Sequence, residues 1–564
     1  MKLVIYQVFT RTFGNKNTNN QPNGTIADNG VGKMSDFNKT TLQQIKKLGV
    51  NTIWYTGIIR HATCTDYSAF GIPCQTPRIV KGKAGSPYAI TDYYDVDPDI
   101  ADNVTKRMNE FEDLVKRTHN ESLKVIIDFI PNHVAREYKS ICKPNGVKDL
   151  GETDDKNKHF DANNNFYYCP NEPLDTSAIP RSINNEATKP DYKSAEYTET
   201  VARCTGNDRF DAHPQANDWY ETIKLNYGID YCDWGGRSNH FNPIPDTWHK
   251  MTDILLFWAA KGIDGFRCDM AEMVPHEFWK YATEKVKTQY PNIVFIGEVY
   301  DPNQYRTYIA AGFDYLYDKV GMYDCLRDVM CEHRSANDIT RQWQATDDIG
   351  KHVLYFLENH DEQRIASNFF CGNMQKGIPA LIVAALFQCN PIMIYAGQEF
   401  GEKGMDGEGF SGIDGRSTIF DYWSIDTIRK GFFERSKLSA EQVQLEKEYR
   451  KILTLCNSEK AISNGKTFDL MYANETNDAF DSNKQFAFLR SSNNTTLLIV
   501  ANFSKTEAHI RVNIPAHAFD YMEIKEGKKN MVDLLSGNHQ SVVLQKDSSI
   551  EIIVPALNGR VYKF

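Results

Sequence analysis

Four short segments concentrate the residues able to do chemistry. DFIPNHV carries Asp128, Asn132 and His133, and GFRCDM carries Arg267 and Asp269. GEVY carries Glu298, and ENHDEQR carries His360 and Asp361. No Ser-His-Asp or Cys-His set, cofactor loop or phosphate-binding loop competes with them, which suits glycoside chemistry. One carboxylate can attack an anomeric carbon while a protonated one gives its proton to the leaving oxygen. A third negative group raises the acid's pKa and holds sugar hydroxyls. A guanidinium beside the nucleophile keeps that carboxylate ionised and aimed. Taken singly, each acid is more often a helix cap or a surface group. That bland reading weakens because all three close a strand, beside Arg, His or apolar strand residues. Asp128, by the same reading, orients its neighbours.

These segments need strands to carry them. Apolar runs at Leu3–Phe9, Val50–Tyr55, Lys124–Phe129, Ile263–Cys268, Ile293–Ile296, Phe313–Tyr317, Val353–Leu357 and Pro391–Tyr395 read as strands. Helical patterns lie between them, at Thr40–Leu48, Thr105–Thr118, Thr247–Lys261, His276–Gln289 and Lys376–Phe387. Eight βα units in one run predict a closed (β/α)8 TIM barrel, whose working groups sit at the C-terminal strand ends. The segments then follow strands three, four, five and seven. Residues 135–245, rich in Asn, Asp, Tyr and Pro, are too long a loop to be structureless and predict an insert subdomain. Past a helical stretch near Ser439–Cys456, short strands at Gln485–Leu489, Thr496–Ala501, His509–Val512 and Ile550–Val554 predict a C-terminal antiparallel β-sandwich. The expected division is 1–134 and 246–460 for the barrel, 135–245 for the insert and 461–564 for the β-sandwich.

The ordered segments resemble the four signature segments of the α-amylase family, glycoside hydrolase family thirteen. GVNTIWYTGI, SPYAITDYYDVDPD and YAGQEFG resemble further segments of that family, and the likeness covers nearly the whole chain. The resemblance implies Asp269 as nucleophile, Glu298 as general acid/base and Asp361 as the group that holds the distorted sugar. It implies Arg267 as the residue that ionises Asp269, His133 and His360 as sugar ligands, and Tyr88 as a stacking floor. Arg364 is expected to shape its loop, and Gln398 and Glu399 to lie behind the site. The implied activity is retaining hydrolysis of α-1,4-linked maltooligosaccharides or starch-derived glucans.

Two departures qualify the likeness. Glu272 and Met273 stand where many α-amylases carry Lys and His on the leaving-group side. They motivate the alternative of a transglycosylase that passes the sugar to another acceptor. Lys224, in IKLN, stands where calcium-binding members carry Asp. The Asn/Gly-rich loop Asn15–Gly32 resembles a calcium loop but offers Asp28 alone as a carboxylate. No cofactor is required, and a structural calcium is unsupported. A non-catalytic sugar-binding protein is the third reading, disfavoured because all three carboxylates are kept.

Composition sets the frame. At 564 residues the chain exceeds what one core supports. A net charge of −10 argues against a nucleic-acid partner, and no apolar run is long enough to span a membrane. The partner expected is an α-glucan. The start MKLVIYQVF reads as a strand and not as a secretory leader, so the cytoplasm is the expected compartment. The twelve cysteines, at irregular spacing, are expected to be reduced and mostly buried.

Overall fold

The computed structural model describes residues 1–179, 197–493 and 495–564. Eight parallel strands close a barrel: β1 (Val4–Phe9), β2 (Thr52–Thr56), β3 (Lys124–Phe129), β4 (Gly265–Cys268), β5 (Val294–Gly297), β6 (Tyr315–Tyr317), β7 (Val353–Phe356) and β8 (Ile392–Tyr395). Sequential neighbours pair all the way round, and β1 closes on β8 through Val4↔Ile392. Strand β3 and the helix His276–Gln289 have the expected bounds, while β4 and β6 each begin two residues late.

The strands are apolar on both faces because both are covered. Alternate residues divide between two cores. Ile5, Trp54, Ile126, Ile296, Leu354, Phe356 and Met393 fill the barrel interior. Their neighbours Val4, Ile53, Val125, Phe295, Val353, Tyr355 and Ile392 pack outward. Two residues beyond the interior positions, toward the C-terminal end, the same inward parity falls on Gln7, Asp128 and Glu298. Arg267 is in register with Asp128 and with Ile296, and Asp269 lies two residues further on. The period of two that fills the core with aliphatics therefore also aims the polar residues into the mouth.

Two features surround that mouth. An antiparallel pair, Ile59–His61 with Ile90–Val96, follows β2. The insert is a small irregular subdomain with its own core of Tyr167, Cys169, Leu174, Ala202, Cys204 and Ala212. It is stitched to the barrel where His133–Ala135 pairs with Thr222–Lys224. Residues 180–196 of the expected insert lie outside the described residues.

The helix Ala440–Ser458 starts at a capping box, in which Ser439 and Gln442 satisfy each other's backbone N–H groups. Beyond it come β9 (Lys466–Asp469), β10 (Gln485–Ser492), β11 (Thr495–Asn502), β12 (Ala508–Ile514), β13 (Gly527–Asp533), β14 (His539–Leu544), β15 (Ser548–Val554) and β16 (Asn558–Lys563). They form a six-stranded antiparallel sheet, β9-β10-β11-β16-β13-β14, faced by the pair β12–β15. Alternate residues of β12 and β15 are buried, as a sandwich requires. The helix Gly377–Leu386, every residue buried, packs against β11 and β16.

All twelve cysteines are free thiols, but only Cys169, Cys204, Cys268, Cys325 and Cys456 are buried. Cys74, Cys142 and Cys232 are exposed because each sits on an irregular connection, so the expectation of mostly buried thiols is corrected. Among the described residues no helix is long and apolar enough to cross a membrane.

Candidate active site

The mouth is organised around one guanidinium. Arg267 is fully buried. Its Nη1 lies 2.8 Å from Asp269 Oδ1 and 3.4 Å from Asp128 Oδ1, and its Nη2 lies 2.7 Å from Glu298 Oε2. Trp54 Nε1 donates to Asp128 Oδ2 at 2.9 Å, so Asp128 is held from both sides and serves as a brace. The rings of Trp54, Tyr88 and Tyr317 surround the guanidinium at 5.2–5.6 Å.

Local backbone geometry completes the pair Asp269 and Glu298. The Asp269 N–H continues the sheet to the Phe129 carbonyl at 2.9 Å, and the Glu298 N–H to that of Cys268 at 3.1 Å. Met270 then turns into the left-handed region at φ 42°, ψ 44°. That conformation costs a non-glycine residue about 1 kcal/mol or more. The Met270 N–H donates to Glu298 Oε2 at 2.9 Å. Tyr300 donates its hydroxyl to the other oxygen, Oε1, at 2.7 Å.

Burial raises both carboxyls above their ordinary values, and the electrostatics then divide them. At Asp269, Arg267 and a bond with Glu298 oppose the rise. At Glu298, Arg267 opposes it but the charge of Asp269 adds to it. Both carboxyls stand raised, with Arg267 restraining each and the Asp269 charge adding to the rise of Glu298.

Asp361 completes the ring of acids. Asn359 Oδ1 accepts from the N–H groups of Asp361 and Glu362, both at 2.9 Å, and Arg416 Nε donates to the Asp361 carbonyl at 2.6 Å. The surrounding walls and then the Glu298 charge push its carboxyl upward. With 43% of the side chain open, solvent moderates that push. His360 Nε2 is 3.1 Å from Asp361 Oδ2 and 2.5 Å from the Tyr88 hydroxyl. Gln7 Nε2 donates to His360 Nδ1 at 2.8 Å, which leaves the ring proton on Nε2. Burial and the charge of Arg267 keep that imidazole neutral.

Tyr88 stacks on His360 at 5.1 Å and 22°, and is 9% exposed. His133 lies at the insert junction, its ring against Trp219 at 5.2 Å, and burial lowers its pKa to about 4. Arg364 bonds Glu358 Oε2 and Ser417 Oγ, both at 2.9 Å, and so shapes its loop. Glu399 is buried under the barrel wall, accepting from the Tyr6 hydroxyl at 2.6 Å. Gln398 is also buried, bonded to the Tyr449 hydroxyl at 3.1 Å.

The calcium that the family resemblance raises can be tested against the side chains. Asn132 Oδ1, Asp208 Oδ1 and the Met273 carbonyl converge on one point, a donor set suited to a hard cation. The chain's own Lys224 ammonium stands there, at 2.6, 2.5 and 3.3 Å. A divalent ion does not fit beside it. In the Asn15–Gly32 loop, Asp28 Oδ2 caps a short helix by accepting from the Thr25 N–H and hydroxyl, each at 2.8 Å. Amide–carbonyl bonds tie Asn15 to Asn29, and Asn17 and Asn19 to Asp28. This loop does not present the several carboxylates a calcium site wants.

Glu272 and Met273 line a cavity of about 480 Å³ together with Asp208, Tyr231, Arg237 and Asp301. The Glu272 carboxylate, however, turns back to accept the N–H groups of Tyr300 and Asp301 at 2.9 and 3.0 Å. Sequence reasoning missed the roles of Tyr300, Gln7 and Trp54. Tyr300 had a signal, two residues beyond Glu298 in GEVY; Gln7 and Trp54 share the inward parity of the barrel interior.

A parallel barrel whose mouth gathers three acids around a guanidinium defines a glycoside hydrolase. The family described as "Alpha amylase, catalytic domain" matches residues 7–200 and 242–489, and "Alpha amylase, C-terminal all-beta domain" matches 477–564. The chain belongs to the α-amylase family. It is 21% identical to Alpha-amylase 3 of Dictyoglomus thermophilum, over 96% of this chain and 93% of that protein. It is 22% identical to a cyclomaltodextrinase of Thermoanaerobacter pseudethanolicus, over 93% and 74% of the two chains. In three dimensions it is similar to the noncanonic maltogenic alpha-amylase AmyB from Thermotoga neapolitana, with a TM-score of 0.62, 20% identity, and coverage of 100% of this chain and 98% of that one.

Proposed function

We propose that the chain hydrolyses α-1,4-glucosidic bonds in maltooligosaccharides or starch-derived glucans with retention of anomeric configuration. The observation that carries this is the joint grip of Arg267 on Asp269 and Glu298, at 2.8 and 2.7 Å. Asp269, as the carboxylate paired with Arg267, attacks the anomeric carbon while Glu298 protonates the leaving oxygen. Glu298 then deprotonates the water that cleaves the glycosyl–Asp269 ester. Asp361, with His360 behind it, holds hydroxyls of the flattening sugar, and Tyr88 and His133 complete its walls. The amylase and cyclomaltodextrinase names of the relatives support an α-glucan substrate. We divide the chain at 1–134 and 246–460, 135–245 and 461–564 for barrel, insert and β-sandwich.

Replacing Asp269 by Asn is the first test. Turnover on maltoheptaose falls by about 10⁴-fold or more while the thermal midpoint holds. Near-normal turnover would remove Asp269 as nucleophile. Anomeric NMR of the first products shows the α-anomer; a β-anomer would mean inversion. Because Glu298 is raised and acts protonated, activity falls as pH rises through its shifted value; because Asp269 is raised and acts ionised, activity also falls as pH drops through its own.

A further inference from the structure

We propose that Tyr300, held in place by Glu272, is a positioning residue for the proton donor: its hydroxyl fixes Glu298 Oε1 and steadies the carboxylate left after proton transfer. The inference rests on the reading of Glu298 as the general acid.

The two oxygens of Glu298 are not equivalent. Oε2 accepts the Met270 N–H at 2.9 Å and lies 2.7 Å from the cationic Arg267 Nη2, whose N–H bonds do not point at it. A proton on Oε2 would meet the Met270 N–H and stand against the Arg267 charge, so the transferable proton belongs on Oε1. Oε1 is the oxygen that Tyr300 touches, at 2.7 Å. While Glu298 is protonated, the phenol bonds the remaining lone pair of Oε1 or accepts from its proton. Once that proton has passed to the glycosidic oxygen, the phenol donates to an anionic oxygen. A hydrogen bond to a charged acceptor is the stronger kind, so it gains strength along the reaction. The proton taken from water later returns to Oε1, and the balance closes.

Tyr300 reaches Oε1 only if its turn folds back over Glu298. Glu272 secures this, since its Oε2 accepts the N–H groups of Tyr300 and Asp301 at 2.9 and 3.0 Å. The Glu272 carbonyl in turn accepts from the Tyr308 hydroxyl at 3.1 Å. The nucleophile loop therefore grips the acid's loop twice, through Met270 onto Glu298 and through Glu272 onto Tyr300. This gives the acidic residue at 272 a use that does not involve an acceptor sugar. Besides Tyr300, the titratable and charged groups facing Glu298 are Arg267, Asp269, Asp361, Tyr317 and Asp128. The variants below leave all five in place.

The test is a double-mutant cycle of Tyr300→Phe and Glu272→Ala, read as pH profiles of kcat/KM and as kcat on maltoheptaose. Tyr300→Phe removes one oxygen from a ring of equal shape. It is expected to lower kcat about tenfold with KM unchanged, and to move the basic limb upward by about one pH unit, because the carboxylate loses a donor. Glu272→Ala shifts the limb in the same direction, and the double variant falls little further than Tyr300→Phe alone. Glu272→Gln, which keeps one acceptor oxygen, recovers part of the loss. An unmoved basic limb with kcat within about twofold of the parent, or fully additive losses, would overturn the proposal. Glu298→Gln assayed on an aryl α-glucoside whose leaving group needs no proton separates the underlying assignment. Loss on maltoheptaose with activity kept on the aryl substrate upholds Glu298 as donor, whereas equal losses on both remove that assignment and this proposal with it.

Discussion

Arg267 and Lys224 are both sealed from solvent, and each gathers oxygens from three separate stretches of chain. Arg267 collects Asp128, Asp269 and Glu298. Lys224 collects Asn132, Asp208 and the carbonyl of Met273. The partners of Arg267 are three carboxylates, two of which trade charge in the proposed reaction. A delocalised cation with a fixed fork can bias both at once. Two of the three partners of Lys224 are neutral oxygens, and burial draws its pKa down while Asp208 supports it. Nothing there changes charge; the ammonium joins the insert to the loops that carry His133 and Asp269. The same device, a buried cation among oxygens, thus serves reactivity at one place and assembly at the other.

The contrast breaks most visibly at Arg267. Arg267→Lys keeps a charge but cannot hold Asp269 and Glu298 from two nitrogens. A loss in kcat on the order of a hundredfold is expected, with a small shift in melting temperature. A variant that unfolded while its folded fraction kept full turnover would assign Arg267 to assembly instead.

Lys224→Met should behave the other way. It strands Asp208 and the buried oxygen of Asn132, so urea unfolding should show a loss of about 2 kcal/mol. Asp208 is 37% exposed and can rehydrate, which keeps the loss below that of a fully sealed pair. Because the cation is covalently attached, a chelator should leave the parent's melting temperature unchanged within about one degree. A large chelator-induced drop would mean that a metal, and not Lys224, secures the junction.

Glu399 sharpens the comparison as a buried acid with no cation against it among the described residues. Burial raises its pKa from 4.5 to about 7, and Tyr6 holds its oxygen. In the unfolded chain it ionises near the lower value, while in the folded chain it stays protonated until the upper one. Its contribution is therefore complete below about pH 4.5 and is lost as pH rises through about 7. Glu399→Gln should flatten that window, gaining roughly 2–3 kcal/mol at pH 8 relative to pH 5 in chemical denaturation. A parallel pH dependence in parent and variant would show that Glu399 does not titrate there.

Much of this was legible beforehand because it is local. Strand β3 and its segment DFIPNHV are contiguous, and so are β4 with Arg267 and Asp269. A period of two extended by a few residues predicts which side chains face the mouth. Contacts between distant residues had no such signal. The separation between Lys224 and Asn132 is 92 residues, and between Glu272 and Tyr300 it is 28. The pair Ile59–His61 and Ile90–Val96 escaped because one partner has three residues, too few to show a period. Glu272 misled because it stands where an acceptor would lie, whereas its carboxylate is turned onto two backbone amides.

The alternation along β5 carries a consequence for length changes. Ile296 fills the interior and Glu298 enters the mouth because they are two residues apart. Deleting or adding a single residue between Val294 and Glu298 would send the acid into the packed layer beneath the outer helices, and an aliphatic into its place. Insertions in the connections after the strands change no such parity. The cylinder can therefore accept new loops freely around a rim whose staves must keep their count.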